Sequence, residues 1–326
     1  MYHTLSSDTL VLPPIDPYGP TTRWIDIFSR GMAGCEWNIT PSESYVLASP
    51  SSGFTGGSNG TDTRVYLSVD WSSAPPAPKS TTINIAIMSS CGSAWGNYGP
   101  PTVQLPVNHT SIPSNFSNGF VESDGHIAME AEHTSTTTSI DNISYLTIPN
   151  YGRTLSGVML YPILSPTQPA GTGPELTYSI YTFTPVPLAK ITLFLSPSLN
   201  FYSDSRPLKY GIAIDDEDPQ VIQFVSNTTQ GNLPNGWSGA VSDAVWGLTS
   251  GSMTTTSHRG LLIPGEHTVR IWLVEPGVVV QKIIVDLGGV RASYLGPPES
   301  FWVGKGGVEE GYEGLNFTEV KTSSTA

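Results

Sequence analysis

Apolar residues recur at every second position along much of this chain. The clearest run is Arg64-Val65-Tyr66-Leu67-Ser68-Val69-Asp70-Trp71, which places Val65, Leu67, Val69 and Trp71 on one face. The same period is visible from Arg23 to Phe28, from Cys35 to Ile39, at Ile83, Ile85 and Ile87, and from Val103 to Val107. Ser44 to Pro50 adds a further strand-like run. Gly-, Pro- and Ser-rich turns separate these segments at spacings of about ten residues, so residues 21–112 are expected to form an immunoglobulin-like β-sandwich. Residues 1–20 are punctuated by proline, which fixes φ and restricts the residue before it. They read as an extended lead-in.

Residues 108–118 are polar and turn-rich, and they mark a linker. A second block of strand patterns follows over 119–302, including Leu176 to Tyr181, Lys190 to Leu195, Lys209 to Asp215, His267 to Val274 and Val278 to Val285. The expected fold class is therefore all-β: an immunoglobulin-like sandwich followed by a larger jelly-roll sandwich like those of carbohydrate-binding modules. One helix is expected, near Val241 to Leu248. Residues 303–326 are Gly-rich and acidic, and read as a flexible tail.

Composition agrees with this class and narrows the partners. The chain is rich in Gly, Pro, Ser and Thr, and 13% of its residues are charged, with a formal net charge of −13. So few Lys and Arg argue against binding nucleic acid or an anionic membrane surface. No apolar run is long enough to span a bilayer, and the first residues lack the basic and apolar regions of a signal peptide. Asn-x-Ser/Thr sequons begin at Asn38, Asn59, Asn108, Asn115, Asn142, Asn227 and Asn316. The two cysteines, Cys35 and Cys91, form either one intradomain disulfide or two buried thiols. These features favour a secreted, extracellular glycoprotein whose signal peptide lies upstream of this segment.

Catalytic patterns are lacking. There is no Gly-x-Ser-x-Gly elbow, no His-Glu-x-x-His helix and no phosphate-cradling Gly loop. Asp215-Asp216-Glu217-Asp218-Pro219 leaves a strand and reads as a solvated turn. Neighbouring residues of a strand face opposite ways, so its acids do not make the opposed pair of a glycosidase. Glu130-Ala131-Glu132 differs, because glutamates two apart on a strand share a face and need partners if that face is covered. Ca²⁺ would satisfy them, as would Arg270 or Arg291.

Longer motifs then resemble a known family. Residues 119–133, Ile148 to Gly157, Pro264 to Asp286 and Ser293 to Ser300 resemble the C-terminal domain of glycoside hydrolase family 115, the xylan α-1,2-glucuronidases. Arg23 to Gly31 and Arg64 to Trp71 resemble the sandwich that precedes it. The resemblance implies hydrolase activity in a parent protein that removes 4-O-methyl-glucuronic acid from xylan. Its catalytic residues would lie in a barrel absent from this chain, so no catalytic residue and no catalytic cofactor is carried over. The Glu-x-Glu opening of the second domain is also similar to that of jelly-roll carbohydrate-binding modules, and this likeness implies a structural calcium held by Glu130, Glu132 and Asp286.

Three functions follow as expectations. The first is a non-catalytic accessory, scaffolding or dimerisation module, with the absent barrel or a second copy as partner. The second is a carbohydrate-binding module for glucuronoxylan, using Trp237, Trp246, Tyr202 or Tyr151 as a stacking platform. The third is an independent glycoside hydrolase with an unrecognised site. Trp272, inside an alternating strand, reads as core.

Overall fold

The computed structural model describes residues 10–29, 33–58, 60–91, 102–229, 231–246, 256–259 and 263–304. The chain divides into two compact units at Pro113/Ser114.

The first unit is an immunoglobulin-like sandwich. One sheet has the order β1-β8-β7-β3-β5, from Leu10–Val11, Thr102–His109, Lys79–Ser89, Cys35–Pro41 and Ser52–Thr55. The other has the order β2-β6-β4, from Thr22–Ile27, Thr63–Val69 and Val46–Ser49. Alternation sets the core: Val65, Leu67, Ile83, Ile85 and Leu105 are fully buried while their neighbours face outward. Cys35 and Cys91 are joined in a disulfide, with Cα atoms 5.5 Å apart, which ties the start of β3 to the end of β7. The expected lead-in is in part structural. Leu10 and Val11 pair in parallel with Val103 and Gln104 on β8. Ile15 is buried, and Arg23 Nε reaches the carbonyls of Pro13 and Pro14. Apolar Ile15 interrupts the prolines, and burying it draws the segment onto the sheet.

The second unit is a larger sandwich of two sheets. One runs β17-β16-β19-β14-β9-β21, from Gln220–Gln223, Lys209–Ile214, Gly265–Leu273, Leu176–Thr182, Gly119–Val121 and Trp302–Val303. The other runs β12-β13-β20-β15-β18, from Ser144–Ile148, Gly157–Tyr161, Val279–Asp286, Ala189–Leu195 and Thr256–Arg259. A further strand, β10 (His126–Glu130), pairs with β20 alongside β13. Between the sheets lie Tyr178, Tyr210, Trp246, Ile271 and Leu193, all fully buried.

Strand β20 is buried on both faces, and apart from Gln281 and Lys282, which are buried with hydrogen-bond partners, its residues from Val279 to Val285 are apolar. Its outer face is covered by the chain's own later segment. Gly296 packs on Phe194 and Ile284, and Ser300 N donates to the Ala128 carbonyl on β10 at 2.8 Å. The ordered fold also continues past the expected start of the tail. Trp302 is buried against Phe120, and its Nε1 donates to Asn118 Oδ1 at 2.8 Å. Residues 305–326 lie outside the described residues.

The helix spans Trp237–Asp243, earlier than the sequence suggests. Ala244 turns left-handed at φ 56°, and Val245 and Trp246 swing into the core. Trp246 then exchanges backbone hydrogen bonds with Leu195, which ends the helix. Tertiary pairing wins over local helical pattern here.

Candidate carbohydrate-binding site

The aromatic residues expected to form a sugar platform separate into distinct environments. Trp246 is fully buried and cannot offer a face to a ligand. This corrects the expectation, because its indole fills the space beneath α1 (Trp237–Asp243). Trp237 is half-buried, packed against the same core, with its ring 6.2 Å from that of Trp246. Tyr151 is exposed, on the loop joining β12 to β13. Trp272 is core, as expected.

Tyr202 lies on the loop between β15 and β16, beside Phe201, which the sequence reading passed over. Phe201 is 51% exposed, and the two ring centroids are 4.3 Å apart. Phe201 rests on the backbone at Gly277, where φ is +94° and a Cβ would sit 2.4 Å from the ring. A side chain there would displace Phe201, so the glycine is required by close approach as well as by its φ.

Tyr202 is braced from behind. Its hydroxyl donates to the Ile163 carbonyl, and the Arg206 guanidinium stacks 4.1 Å from its ring centroid. Arg206 is itself fixed by Glu275, with Nη2 2.7 Å from Oε2 and Nε 3.0 Å from the same oxygen. Glu275 is 2% exposed, and its other oxygen accepts from Thr167 Oγ1 at 2.6 Å. The ion pair is thus hydrogen-bonded on several sides, and it fixes the tyrosine ring.

A cleft of about 410 Å³ is lined by residues on both sides of this pair in the chain, with Leu199 and Val225 beside Asn200, Ser203, Asp204 and Asn232. Asn200 shapes it: its Oδ1 accepts from Leu208 N at 2.9 Å. Exposed aromatic faces beside amide, hydroxyl and carboxylate groups suit a sugar, whose C–H face stacks while its hydroxyls find polar partners.

The expected calcium ligands are not brought together. Glu130 ends β10, whereas Glu132 lies in the turn beyond it and so does not share a strand face. Asp286 pairs with His126, four residues along β20 from the partner of Glu130, a separation of about 13 Å. Its Oδ1 accepts from Gly288 N at 2.9 Å instead. Directly opposite Glu130 is Lys282, with Nζ 3.0 Å from Oε1, and this ammonium is 1% exposed. Thr154 Oγ1 donates to the same Glu130 oxygen at 2.6 Å, and the Pro297 carbonyl accepts from Lys282 Nζ at 3.0 Å. Glu130 Oε2 has no hydrogen-bond partner, yet one carboxylate oxygen beside an ammonium is no seat for a second cation. Among the described residues, no cluster of three or more His, Cys, Asp or Glu side chains can hold a metal. The arginines considered as partners lie elsewhere: Arg270 pairs with Glu175 at 2.9 Å, and Arg291 is exposed.

The acidic run at Asp215 forms a turn. Asp215 sits at φ 51°, where its Oδ1 accepts from Thr268 N at 2.8 Å and its Oδ2 lies 2.8 Å from His267 Nδ1. Of the sequons, Asn38, Asn115, Asn142 and Asn227 are exposed and Asn108 is half-buried. Asn59 and Asn316 lie outside the described residues.

Residues 119–299, more than half of the chain, match the model of the glycosyl hydrolase family 115 C-terminal domain. The chain belongs to this family. No curated protein matches it. Among solved structures, it is similar to a family 115 4-O-methyl-α-glucuronidase with specificity for decorated arabinogalactans, at 14% identity and a TM-score of 0.30. That match covers 55% of this chain and 19% of the glucuronidase. An exo-β-1,3-galactanase from Phanerochaete chrysosporium matches at 13% identity and a TM-score of 0.30, covering 49% of this chain and 29% of the other. A family 35 carbohydrate-binding module from Clostridium thermocellum matches at 14% identity and a TM-score of 0.27, covering 49% and 97%. The family 115 chain therefore spans about a fifth of the glucuronidase it matches. Among the described residues, no helix is long and apolar enough to cross a membrane.

Proposed function

We propose that this chain is the non-catalytic C-terminal portion of a secreted xylan α-1,2-glucuronidase, an accessory module that packs with the barrel of that enzyme or joins two copies of it. The observation that carries this reading is the family match over 119–299, which coincides with most of the second sandwich. Purified chain incubated with glucuronoxylan should release no methylglucuronic acid. Release of the uronic acid would overturn the non-catalytic assignment and revive an independent hydrolase.

Carbohydrate binding is a second reading, favoured by the exposed Phe201, the braced Tyr202 and a cleft of mixed apolar and polar lining formed by their chain neighbours. The platform does not rest on Trp237 or Trp246. Replacing Phe201 by alanine should weaken retention on a glucuronoxylan affinity gel by about 5- to 150-fold, the value of one aromatic–sugar stack taken at roughly 1–3 kcal/mol by analogy with base stacking. Trp237→Ala should matter less. Wild-type protein that runs unretarded through the gel would leave the scaffolding role alone.

A further inference from the structure

The outward face of the first sandwich holds a groove of about 560 Å³, bounded by β3, β5 and the end of β7. Its volume falls within the range, about 300–1,000 Å³, of pockets that seat small organic ligands. Two apolar side chains stand in it, Phe54 at 43% and Met88 at 51% exposure. β5 is the edge strand of its sheet, with the Phe54 carbonyl accepting from Thr61 N at 3.4 Å. Natural sheets usually protect such an edge from pairing with another chain.

Asn38 lies within this groove, exposed, directly opposite Met88 on β7 and Ser52 on β5. Phe54 stands opposite Glu36, diagonal to Asn38 on the same face. Asn38-Ile39-Thr40 is a glycosylation sequon. Ile39 points into the core, so Asn38 and Thr40 both face outward. The polar rim comes from Glu36, Ser52 and Ser90. An attachment point for a sugar chain therefore sits inside a groove whose lining mixes apolar faces with hydrogen-bonding groups.

We propose that this groove is the seat of an N-linked glycan carried on Asn38, whose first sugars lay their C–H faces on Met88 and Phe54. The glycan covers the apolar patch and stands over edge strand β5, which blocks pairing of that edge with a second copy of the chain. A second copy is the competing occupant. The attachment point favours the glycan, because a sugar chain on Asn38 is held at the groove at high effective concentration. This inference extends the secretory part of the proposed function and is independent of whether the second sandwich binds xylan.

The test expresses the full chain behind a yeast secretion leader, so that glycosylation does not depend on the native route of the protein. Peptide mass spectrometry should find Asn38 occupied. Enzymatic removal of the glycans should lower the melting temperature of the first unit in wild type. The same treatment should have little effect in Phe54→Ala with Met88→Ala, because coupled groups lose their interaction when either is removed. Thr40→Ala, which destroys the sequon without touching the groove's apolar residues, should reproduce the deglycosylated melting temperature. An empty Asn38 alongside occupied Asn115, Asn142 or Asn227 would overturn the inference and leave the accessory-module reading intact. So would a glycan whose removal shifts wild type and the double variant equally. Dimers that form in the glycosylated protein through β5 would assign the groove to a second copy instead.

Discussion

Glu130→Ala removes the carboxylate that faces Lys282 Nζ at 3.0 Å and leaves an ammonium 1% exposed. The carbonyls of Leu295 and Pro297 remain as acceptors, but they carry no compensating charge. Breaking one side of a buried ion pair costs about 3–5 kcal/mol, because the surviving charge is left without its counterion. For a unit of this size each kcal/mol moves the melting temperature by about 2–4 °C, so a fall of about 6–20 °C is expected. Near-ultraviolet circular dichroism, which reports aromatic packing, follows the second unit through Tyr178, Tyr210 and Trp246. Glu130→Met combined with Lys282→Met should recover most of the loss, since an apolar pair in place of a buried ion pair is often neutral or stabilising. The same argument fixes the response to calcium. With Lys282 already supplying the positive charge beside Glu130, adding Ca²⁺ or a chelator should leave the wild-type melting temperature unchanged. A rise of the size produced by a ligand at 100 times its Kd, about 2.7 kcal/mol, would refute the assignment of Lys282 as the cation here. A Glu130→Ala variant as stable as wild type would refute it equally.

The disulfide and the buried tyrosines give two further tests. Cys35 and Cys91 are 56 residues apart, and the loop they close corresponds to about 4 kcal/mol of chain entropy, so Cys35→Ser with Cys91→Ser should lower the unfolding midpoint of the first unit in urea and leave that of the second in place. Burial raises the pKa of Tyr178 and of Tyr210 above the ordinary phenolic value of about 10. The native state therefore binds more protons than the unfolded state at high pH, so stability is complete below about pH 10 and falls as pH rises above it. Thermal melts of the second unit should hold level from pH 7 to 9 and drop beyond 10; a midpoint constant to pH 11.5 would contradict this.

What was legible in the sequence was the part governed by local periodicity. Alternation from Arg64 to Trp71 fixes a strand with one buried face, because a pleated strand sends successive side chains to opposite sides. Val278 to Val285 was legible as a strand, but its cover on both faces was not, because Gln281 and Lys282 interrupt the apolar run; Trp272 declared itself as core by its place in an alternating run. The loop character of the segment around Tyr202 was also readable, although Phe201 beside it was missed. An aromatic in a turn-rich stretch carries the signal, but nothing local tells whether it is braced or free.

Tertiary structure decided the rest, because each remaining feature joins residues remote in the chain. Glu130 meets Lys282 through strand register, which spacing alone does not encode, and so the apparent set of Glu130, Glu132 and Asp286 comes apart. Trp246 is core because it bridges to Leu195, and that same bridge ends the helix early. Tyr202 is held by Arg206 and Glu275, which stand 69 residues apart. Periodicity tells a side chain which face of its own element it occupies. The partner waiting on that face is set by how distant elements pack, where burial and register outweigh local preference.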